Sequence, residues 1–199
     1  MKDVIIVGGG ISGSILAWQW SLKGKSIHWI ADGKPASSHV AAGVFNPVVL
    51  KRFSPIWKAA EQISVCPFFY KQIERETSST IVHDVPVWRR LFDEGERKTW
   101  IRKSQREDLD EFMVTQVEDA TIEGISSPSG FGVVAQTGWL DALTFIDASI
   151  TYFKKHNSFI NAAFDHTKLE AAENWVNYEG LKAHYIIFAE GMGIIHNPY

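Results

Sequence analysis

The 199-residue sequence contains a single cysteine, Cys66, which excludes an internal disulfide and a zinc site built from several cysteine ligands. A chain with so little cysteine fits a reducing compartment, so we expect a cytoplasmic protein. No apolar run approaches the ~20 residues of a membrane span, and the N-terminus lacks the basic segment of a signal peptide. No association with a membrane is therefore expected.

An excess of charge of one sign is also missing, because the formal net charge is only −3. The basic pairs are scattered and form no patch suited to a nucleic-acid backbone, so no nucleic-acid partner is expected. The sequence also lacks the HExxH and nucleophile-elbow motifs. We therefore predict no metal site, and the residues alone assign no catalytic group.

A short apolar segment followed by glycines is the clearest pattern that the sequence does contain. Residues 3–7 are apolar after the first aspartate and rich in β-branched side chains, which predicts a buried strand of a parallel sheet. Residues 11–22 have an apolar side and are followed by Gly24, which predicts a helix that ends at a glycine. A second strand is predicted over residues 26–31, so the segment has the order of a βαβ unit.

The turn between the first strand and the helix matches the pattern G-x-G-x-x-G. In this pattern Gly8 forms the tight turn, Gly10 lets a pyrophosphate approach the backbone, and Gly13 lets helix and strand pack closely. The helix N-terminus can offer the N–H groups of Ile11 and Ser12 to the phosphates. The turn therefore predicts a dinucleotide site.

An acidic residue follows the second predicted strand. Asp32 lies about 20 residues beyond the last glycine, a spacing that suits a carboxylate accepting hydrogen bonds from ribose hydroxyls. Strand, turn, helix and acid together favour dinucleotide binding over a purely structural turn. The pattern alone does not distinguish NAD from FAD.

A loop of small residues follows over residues 36–49, with two hydroxyl side chains, Ser37 and Ser38, near its start. Such a composition predicts backbone that a flat or bulky ligand approaches closely, and the alternative is an ordinary small-residue loop. His39 lies in the same loop, where it either lines a cofactor site or is exposed to solvent.

Together with the glycine turn, this loop resembles the flavin-contacting segment of the FAD-dependent oxidoreductases of the D-amino-acid oxidase and glycine oxidase-like family. The resemblance implies that the loop lies along the pyrophosphate and the isoalloxazine through Ser37, Ser38, Ala41, Ala42, Gly43 and Val44. The stretch from Gly138 resembles the family's helix that leads back into the nucleotide-binding domain. The stretches "DHTKL" and "IIFAEG" imply further FAD contacts, by the Leu169 backbone at the adenine and by Ala189 and Gly191.

The implied fold is α/β. It comprises an FAD-binding Rossmann-like domain, with a parallel sheet, crossover helices and a β-meander, plus part of an α+β substrate domain. The resemblance assigns residues 1–52 and 138–199 to the FAD-binding domain and residues 53–137 to the partial substrate domain.

Patterns outside the βαβ unit are shorter. Helices are predicted over 54–76, with a break or kink at Pro67, and over 139–155. Interleaved charges over 93–111 predict a solvated helix face or loop. Short strands are predicted over residues 80–83, 85–88, 133–135, 159–164, 168–171, 175–178 and 185–189.

The resemblance implies an FAD-dependent enzyme that oxidises the CH–NH bond of a small amino acid or secondary amine by hydride transfer to flavin N5, with oxygen as reoxidant. FAD is the expected cofactor and a small amine or amino acid the expected partner. Because family members are much longer, the sequence resembles the N-terminal portion of such an enzyme, and its catalytic and substrate-binding residues stay unassigned.

Three alternatives stay open. The chain could be an incomplete flavin-binding fragment without turnover, or the oxidase domain of an enzyme that modifies tRNA wobble uridines. An NAD(P)-linked dehydrogenase would explain the glycine turn but not residues 36–49.

Overall fold

The computed structural model describes residues 1–34 and 37–199, so Ala36, the first residue of the predicted small-residue loop, lies outside the described residues. The helices are α1 (Ile11–Leu22), α2 (Ala59–Thr77), α3 (Glu94–Ser104) and α4 (Ala142–Lys155). The strands are β1 (Lys2–Val7), β2 (Ile27–Ala31), β3 (Val44–Phe45), β4 (Val48–Val49), β5 (Ser54–Pro55), β6 (Val82–Asp84), β7 (Val87–Arg90), β8 (Phe131–Val134), β9 (Gly138–Leu140), β10 (Phe159–Asn161), β11 (Leu169–Ala172), β12 (Trp175–Tyr178) and β13 (Leu181–Phe188). Short 3₁₀ turns span Ser37–His39, His166–Lys168 and Gly191–His196.

The chain forms two compact units. The first unit comprises Met1–Ala41, Ile73–Ser79 and Ala142–Tyr199, and the second comprises Ala42–Gln72 and Thr80–Asp141. The sequence predicted an FAD-binding domain and a substrate domain, and this functional division of the chain stays a prediction.

A six-stranded sheet forms the centre of the first unit, in the order β10-β2-β1-β13-β12-β11. β10, β2, β1 and β13 are parallel, whereas β11, β12 and β13 form an antiparallel meander. This is the predicted α/β arrangement, a parallel sheet with a β-meander. The carboxyl ends of the four parallel strands meet at one edge, which is where open α/β sheets bind ligands.

Both faces of β1 are buried, as its uninterrupted apolar sequence predicts. On one face, Ile5 and Val7 belong to an apolar cluster with residues of the meander. Elsewhere in this unit, Trp18 of α1 and Trp29 of β2 both pack edge-on against Phe153 of α4, at ring-centroid distances of 5.0 and 5.7 Å. These aromatic contacts fix α1 and α4 beside the β1–α1 turn.

The second unit has its own apolar core, into which α2, α3 and several short strands place side chains. The buried members are Val48, Phe53, Ala59, Ile63, Leu91, Trp100, Leu109, Phe112, Met113, Val117 and Val134. The charged segment over 93–111 contains α3, which is capped by Asp93 and buries Trp100. Glu94, Gly95, Lys98 and Arg102 are exposed, so the helix has the solvated face that its interleaved charges predict.

Two predicted helix boundaries are wrong. Residues 138–140 form β9, which pairs with β3 and β6, so α4 begins only at Ala142. Residues 54–55 likewise pair with β4, and α2 begins at Ala59. Pro67 does not break α2, because one lost N–H costs less than unpacking the buried Ile63 before it and Ile73 after it.

Among residues 1–34 and 37–199, no helix combines the length and apolar character needed to cross a membrane. Within the same described ranges, no group of three or more histidine, cysteine, aspartate or glutamate side chains is arranged to hold a metal ion.

Candidate functional site

A cavity of about 590 Å³ opens in the first unit, where β1, β2, β10 and β13 end. Its volume lies within the range of small-molecule and cofactor sites. Nine of the residues predicted to bind a cofactor line it: Gly8, Gly10, Ile11, Ser12, Asp32, Ser37, Ser38, Ala189 and Gly191. The fold therefore brings together segments from both ends of the sequence.

The first glycine of the turn lies against the end of β13. A Cβ atom added to Gly8, whose φ is +120°, would lie 2.2 Å from the Ala189 carbonyl oxygen. The Gly8 N–H donates to the Ile30 carbonyl, and the Gly8 carbonyl accepts a 2.8 Å hydrogen bond from the Trp29 indole N–H. These contacts fix the turn between β2 and β13, so that it faces the cavity.

The other two glycines have different surroundings. A Cβ atom at Gly13 would lie only 2.0 Å from the Gly8 carbonyl oxygen, so Gly13 allows α1 to pack on the turn, as predicted. A Cβ atom at Gly10 would find no atom closer than the Ser38 hydroxyl oxygen at 3.2 Å. Gly10 faces the open cavity, where the absence of a side chain leaves room for a ligand.

The N-terminus of α1 is the electropositive part of this site. Gly10 is its N-cap and provides no capping side chain, and the first turn contains no acidic residue. The N–H of Ile11 donates to the Ser38 hydroxyl oxygen at 3.1 Å, so the loop serine satisfies one donor that the helix leaves free. Backbone N–H groups and the helix dipole at such an end favour a bound phosphate.

Asp32 lies at the carboxyl end of β2, on the lining of the cavity. Its carboxylate pairs with the Lys34 ammonium at 2.9 Å and accepts a hydrogen bond from the Lys34 backbone N–H at 3.2 Å. The Lys34 side chain is the main reason why the pKa of Asp32 is lowered. The acid is therefore ionised at neutral pH and can accept hydrogen bonds from hydroxyl groups, in the role predicted for it.

The remaining predicted residues lie elsewhere. Gly13 lies behind the lining, and Ala41 does not contribute to it. Ala42, Gly43 and Val44 belong to the second unit. Leu169 is buried in the core of the first unit at the start of β11. That these residues contact a cofactor stays a prediction.

Sequence reasoning did not assign several lining residues. Ala162, Ala163 and Phe164 follow β10, whose pairing with β2 brings them to the cavity. The sequence placed all three inside a strand predicted over 159–164, whereas β10 ends at Asn161. Asp147 of α4 and Glu190 after β13 also line the cavity, as does His39, for which both alternatives had been open.

Two side chains contact the Glu190 carboxylate. One carboxylate oxygen lies 3.0 Å from Nε2 of His166, and the other accepts a 2.8 Å hydrogen bond from the Asn197 side-chain amide. Both side chains are mostly buried. Glu190 therefore joins the turn at 166–168 to the segment after β13 that lines the cavity, residues 191–193.

The parallel sheet, glycine turn and ligand-sized cavity are those of a Rossmann-like α/β protein. The model of the family DAO, FAD dependent oxidoreductase, matches residues 3–196, and the chain belongs to this family. The resemblance read from the glycine turn and the small-residue loop is thereby confirmed, and FAD is the cofactor of the family. The open helix N-terminus, the glycine that leaves room beside it and the acid at the end of β2 fit this cofactor.

Solved structures with the same fold include a glycine oxidase, an L-amino acid deaminase and an L-proline dehydrogenase. Glycine oxidase from Geobacillus kaustophilus is 16% identical with a TM-score of 0.63, and the match covers 95% of this chain and 55% of that one. L-Amino acid deaminase from Proteus myxofaciens is 17% identical with a TM-score of 0.67, covering 96% and 46%. L-Proline dehydrogenase from P. horikoshii is 14% identical with a TM-score of 0.66, covering 94% and 52%. The chain thus spans about half the length of these proteins, and the similarity concerns the fold.

Proposed function

We propose that the chain binds FAD and belongs to an oxidoreductase that oxidises the CH–NH bond of a small amino acid or secondary amine. The observation that carries the proposal is the cavity in which the glycine turn, the N-terminus of α1 and Asp32 converge. Family membership identifies the dinucleotide as FAD. The names of the similar structures, which are a glycine oxidase, an amino acid deaminase and a proline dehydrogenase, support an amine or amino-acid substrate.

In this proposal each part of the site has one task. The N–H groups of Ile11 and Ser12 bind the pyrophosphate, for which the Ile11 N–H exchanges its hydrogen bond to the Ser38 hydroxyl for one to a phosphate oxygen. Gly10 gives the pyrophosphate access to the backbone. Asp32 accepts hydrogen bonds from the ribose. Residues 1–52 and 138–199 form the FAD-binding domain, and residues 53–137 form part of the substrate domain.

Bound FAD supplies the acceptor for a hydride that leaves the carbon bearing the amine. The proposed product is an imine, which water hydrolyses to a carbonyl compound and an amine or ammonia. Oxygen is the proposed reoxidant and would leave as hydrogen peroxide. The chain's own contribution is to bind and orient the cofactor through the residues named above.

The first test is the visible absorption spectrum of the purified chain after incubation with FAD and desalting. We expect a retained two-banded flavin spectrum, whereas NAD in a parallel sample is not retained. Mixing the loaded chain with glycine, N-methylglycine or proline under nitrogen should then bleach these bands. Retention of FAD without bleaching by any amine would favour the alternative of a flavin-binding fragment without turnover and leave the binding part standing.

The matched variants are Gly10→Val and Gly95→Val. Valine at position 10 fills the open side of the turn, and we expect at least a tenfold loss of FAD affinity, about 1.4 kcal/mol. The fold should survive, because the nearest atom to an added Cβ is the Ser38 hydroxyl, which can rotate. Gly95 is an exposed helical glycine of α3 in the second unit, so its variant should bind FAD normally. Equal FAD binding by both variants would refute the proposed site.

A further inference from the structure

His166 lies in the short turn that leads into β11, and most of its side chain is buried. Its ring packs against two aromatic rings of the same unit. The Phe164 ring meets it edge-on at a centroid distance of 5.2 Å, and the Phe188 ring lies tilted at 5.6 Å. The Tyr199 hydroxyl donates to the His166 backbone carbonyl at 3.4 Å. These contacts fix the imidazole beside the end of β13.

The imidazole faces an acid of the cavity lining. Nε2 of His166 is shielded from solvent and lies 3.0 Å from a carboxylate oxygen of Glu190. Within the part of the chain that the structure describes, this nitrogen has no hydrogen-bond partner, so the contact has the distance of an ion pair without the angles of a hydrogen bond. The attraction between the two groups therefore depends on the charge of the imidazole.

The other charged groups of this turn are exposed, so water screens their charges. Asp165 accepts hydrogen bonds from the hydroxyl and the N–H of Thr167, at 2.6 and 3.0 Å, and these bonds are the main reason why the pKa of Asp165 is lowered. The Lys168 ammonium pairs with Glu179 at 2.6 Å. Two phenol hydroxyls near the turn form hydrogen bonds with backbone groups, those of Tyr178 and Tyr199. Glu190 is therefore the buried acid that a charge on the imidazole affects most.

Glu190 connects this contact to the cavity. It directly precedes residues 191–193, which line the cavity, and its backbone carbonyl accepts a 3.0 Å hydrogen bond from the Gly193 N–H. Its second carboxylate oxygen is bonded to the Asn197 amide. A positive charge on His166 thus strengthens the hold on a residue that fixes one wall of the cavity.

We propose that His166 is a positioning residue for FAD binding, whose imidazolium ion holds Glu190 and thereby keeps residues 191–193 in place at the cavity. The inference rests on the proposed function and adds a pH dependence to it. Histidine changes its charge between about pH 5 and pH 8. As the pH rises through this range the ion pair is lost and the segment loosens, so the affinity for FAD should fall. Protonation and FAD binding are linked, and each favours the other.

The test is the FAD affinity of the intact chain, measured by equilibrium dialysis at about pH 5.5 and about pH 8.5, on either side of the histidine range. We expect the affinity of the wild type to be at least about fivefold lower at the higher pH. His166→Gln, whose amide takes up no proton, should bind FAD equally at both pH values. Glu190→Gln should do the same, because it leaves the imidazolium no carboxylate. The control is His184→Gln, an exposed histidine of β13, which should keep the pH dependence of the wild type.

A purely structural role of His166 predicts a different result, in which His166→Gln lowers the affinity by the same factor at both pH values. That result would overturn the inference, as would a wild-type affinity that does not change with pH, and in both cases the proposed function stands. If the wild type retains no FAD at either pH, the proposed function fails and this inference fails with it. Because Glu190→Gln leaves the imidazole in place, it decides the question even where His166→Gln does not fold.

Discussion

Replacing Gly13 with alanine tests how closely α1 must pack on the glycine turn. The added Cβ atom would lie 2.0 Å from the Gly8 carbonyl oxygen, and both groups are fixed by the backbone. To bring the added Cβ atom and this oxygen to an ordinary contact distance of 3.5–4.0 Å, the helix or the turn must shift by roughly 1.5 Å. The same carbonyl accepts the 2.8 Å hydrogen bond from Trp29, and a shift of that size breaks it.

The free-energy change follows from these two effects. A buried donor or acceptor left without its partner costs about 1–3 kcal/mol. Forcing an extra carbon into packed surroundings costs a further ~1–3 kcal/mol. The sum, about 2–6 kcal/mol, is a large part of the total stability of an ordinary domain. For a chain of this size the melting temperature should fall by roughly 5–20 °C.

The assay is thermal unfolding followed by circular dichroism, with Gly95→Ala as the control. Gly95 lies in α3, where alanine has the higher helix propensity and an added Cβ atom meets only the Asp93 side chain, at 3.1 Å. The control should therefore melt at the wild-type temperature or above it. A Gly13→Ala variant that melts as the control does would refute the packing argument, and with it the role assigned to the third glycine.

Two further substitutions test contacts that the sequence did not reveal. Ser149→Ala removes the acceptor of the buried Trp18 indole N–H, 2.8 Å away, and should lower the free energy of unfolding by about 1–3 kcal/mol in a urea titration. The exposed Ser64→Ala should change it little, and equal effects would contradict the argument. Glu190→Ala releases the segment that lines the cavity and should weaken FAD binding, and Glu190→Gln should restore part of that binding. The control is Glu170→Ala, which loses a carboxylate–amide hydrogen bond on the exposed sheet edge and should bind FAD as the wild type does. A Glu190→Ala chain with wild-type FAD affinity would remove its positioning role.

Local patterns were sufficient for the β1-α1-β2 unit. The predicted strands 3–7 and 26–31 and the helix 11–22 agree with the structure to within one residue at each end. The apolar run of the strand, the helical periodicity and the glycines at positions 8 and 13 lie within a few residues of one another. A short stretch of sequence is therefore sufficient to predict these elements. The roles of Gly8 and Gly13 follow from the same short segment.

The features that the sequence did not predict depend on pairing between strands that lie far apart in the chain. The apolar spacing at Trp139 and Leu140 also suits the first turn of a helix, but pairing with β3 and β6 makes these residues part of β9. Ala162–Phe164 reach the cavity only because β10 pairs with β2, far away in the sequence. Nothing in a local window specifies such a partner.

Three acids line the cavity, of which the sequence assigned only Asp32, and their charge bears on how the proposed diphosphate would be held. Asp32, Asp147 and Glu190 line the site, and among its described lining residues Lys34 is the single lysine or arginine. Asp32 is paired with that lysine, and Glu190 accepts a hydrogen bond from Asn197 and lies 3.0 Å from Nε2 of His166. Side-chain charge therefore offers a diphosphate little attraction. In the proposed binding mode the attraction comes from backbone N–H groups at the N-terminus of α1, which act only at close range. Close range in turn requires that position 10 has no side chain and that position 13 lets the helix approach the turn. In this proposal the three glycines determine both the electrostatics and the shape of the site, and this is why their pattern predicts a phosphate site that the pattern of charges does not.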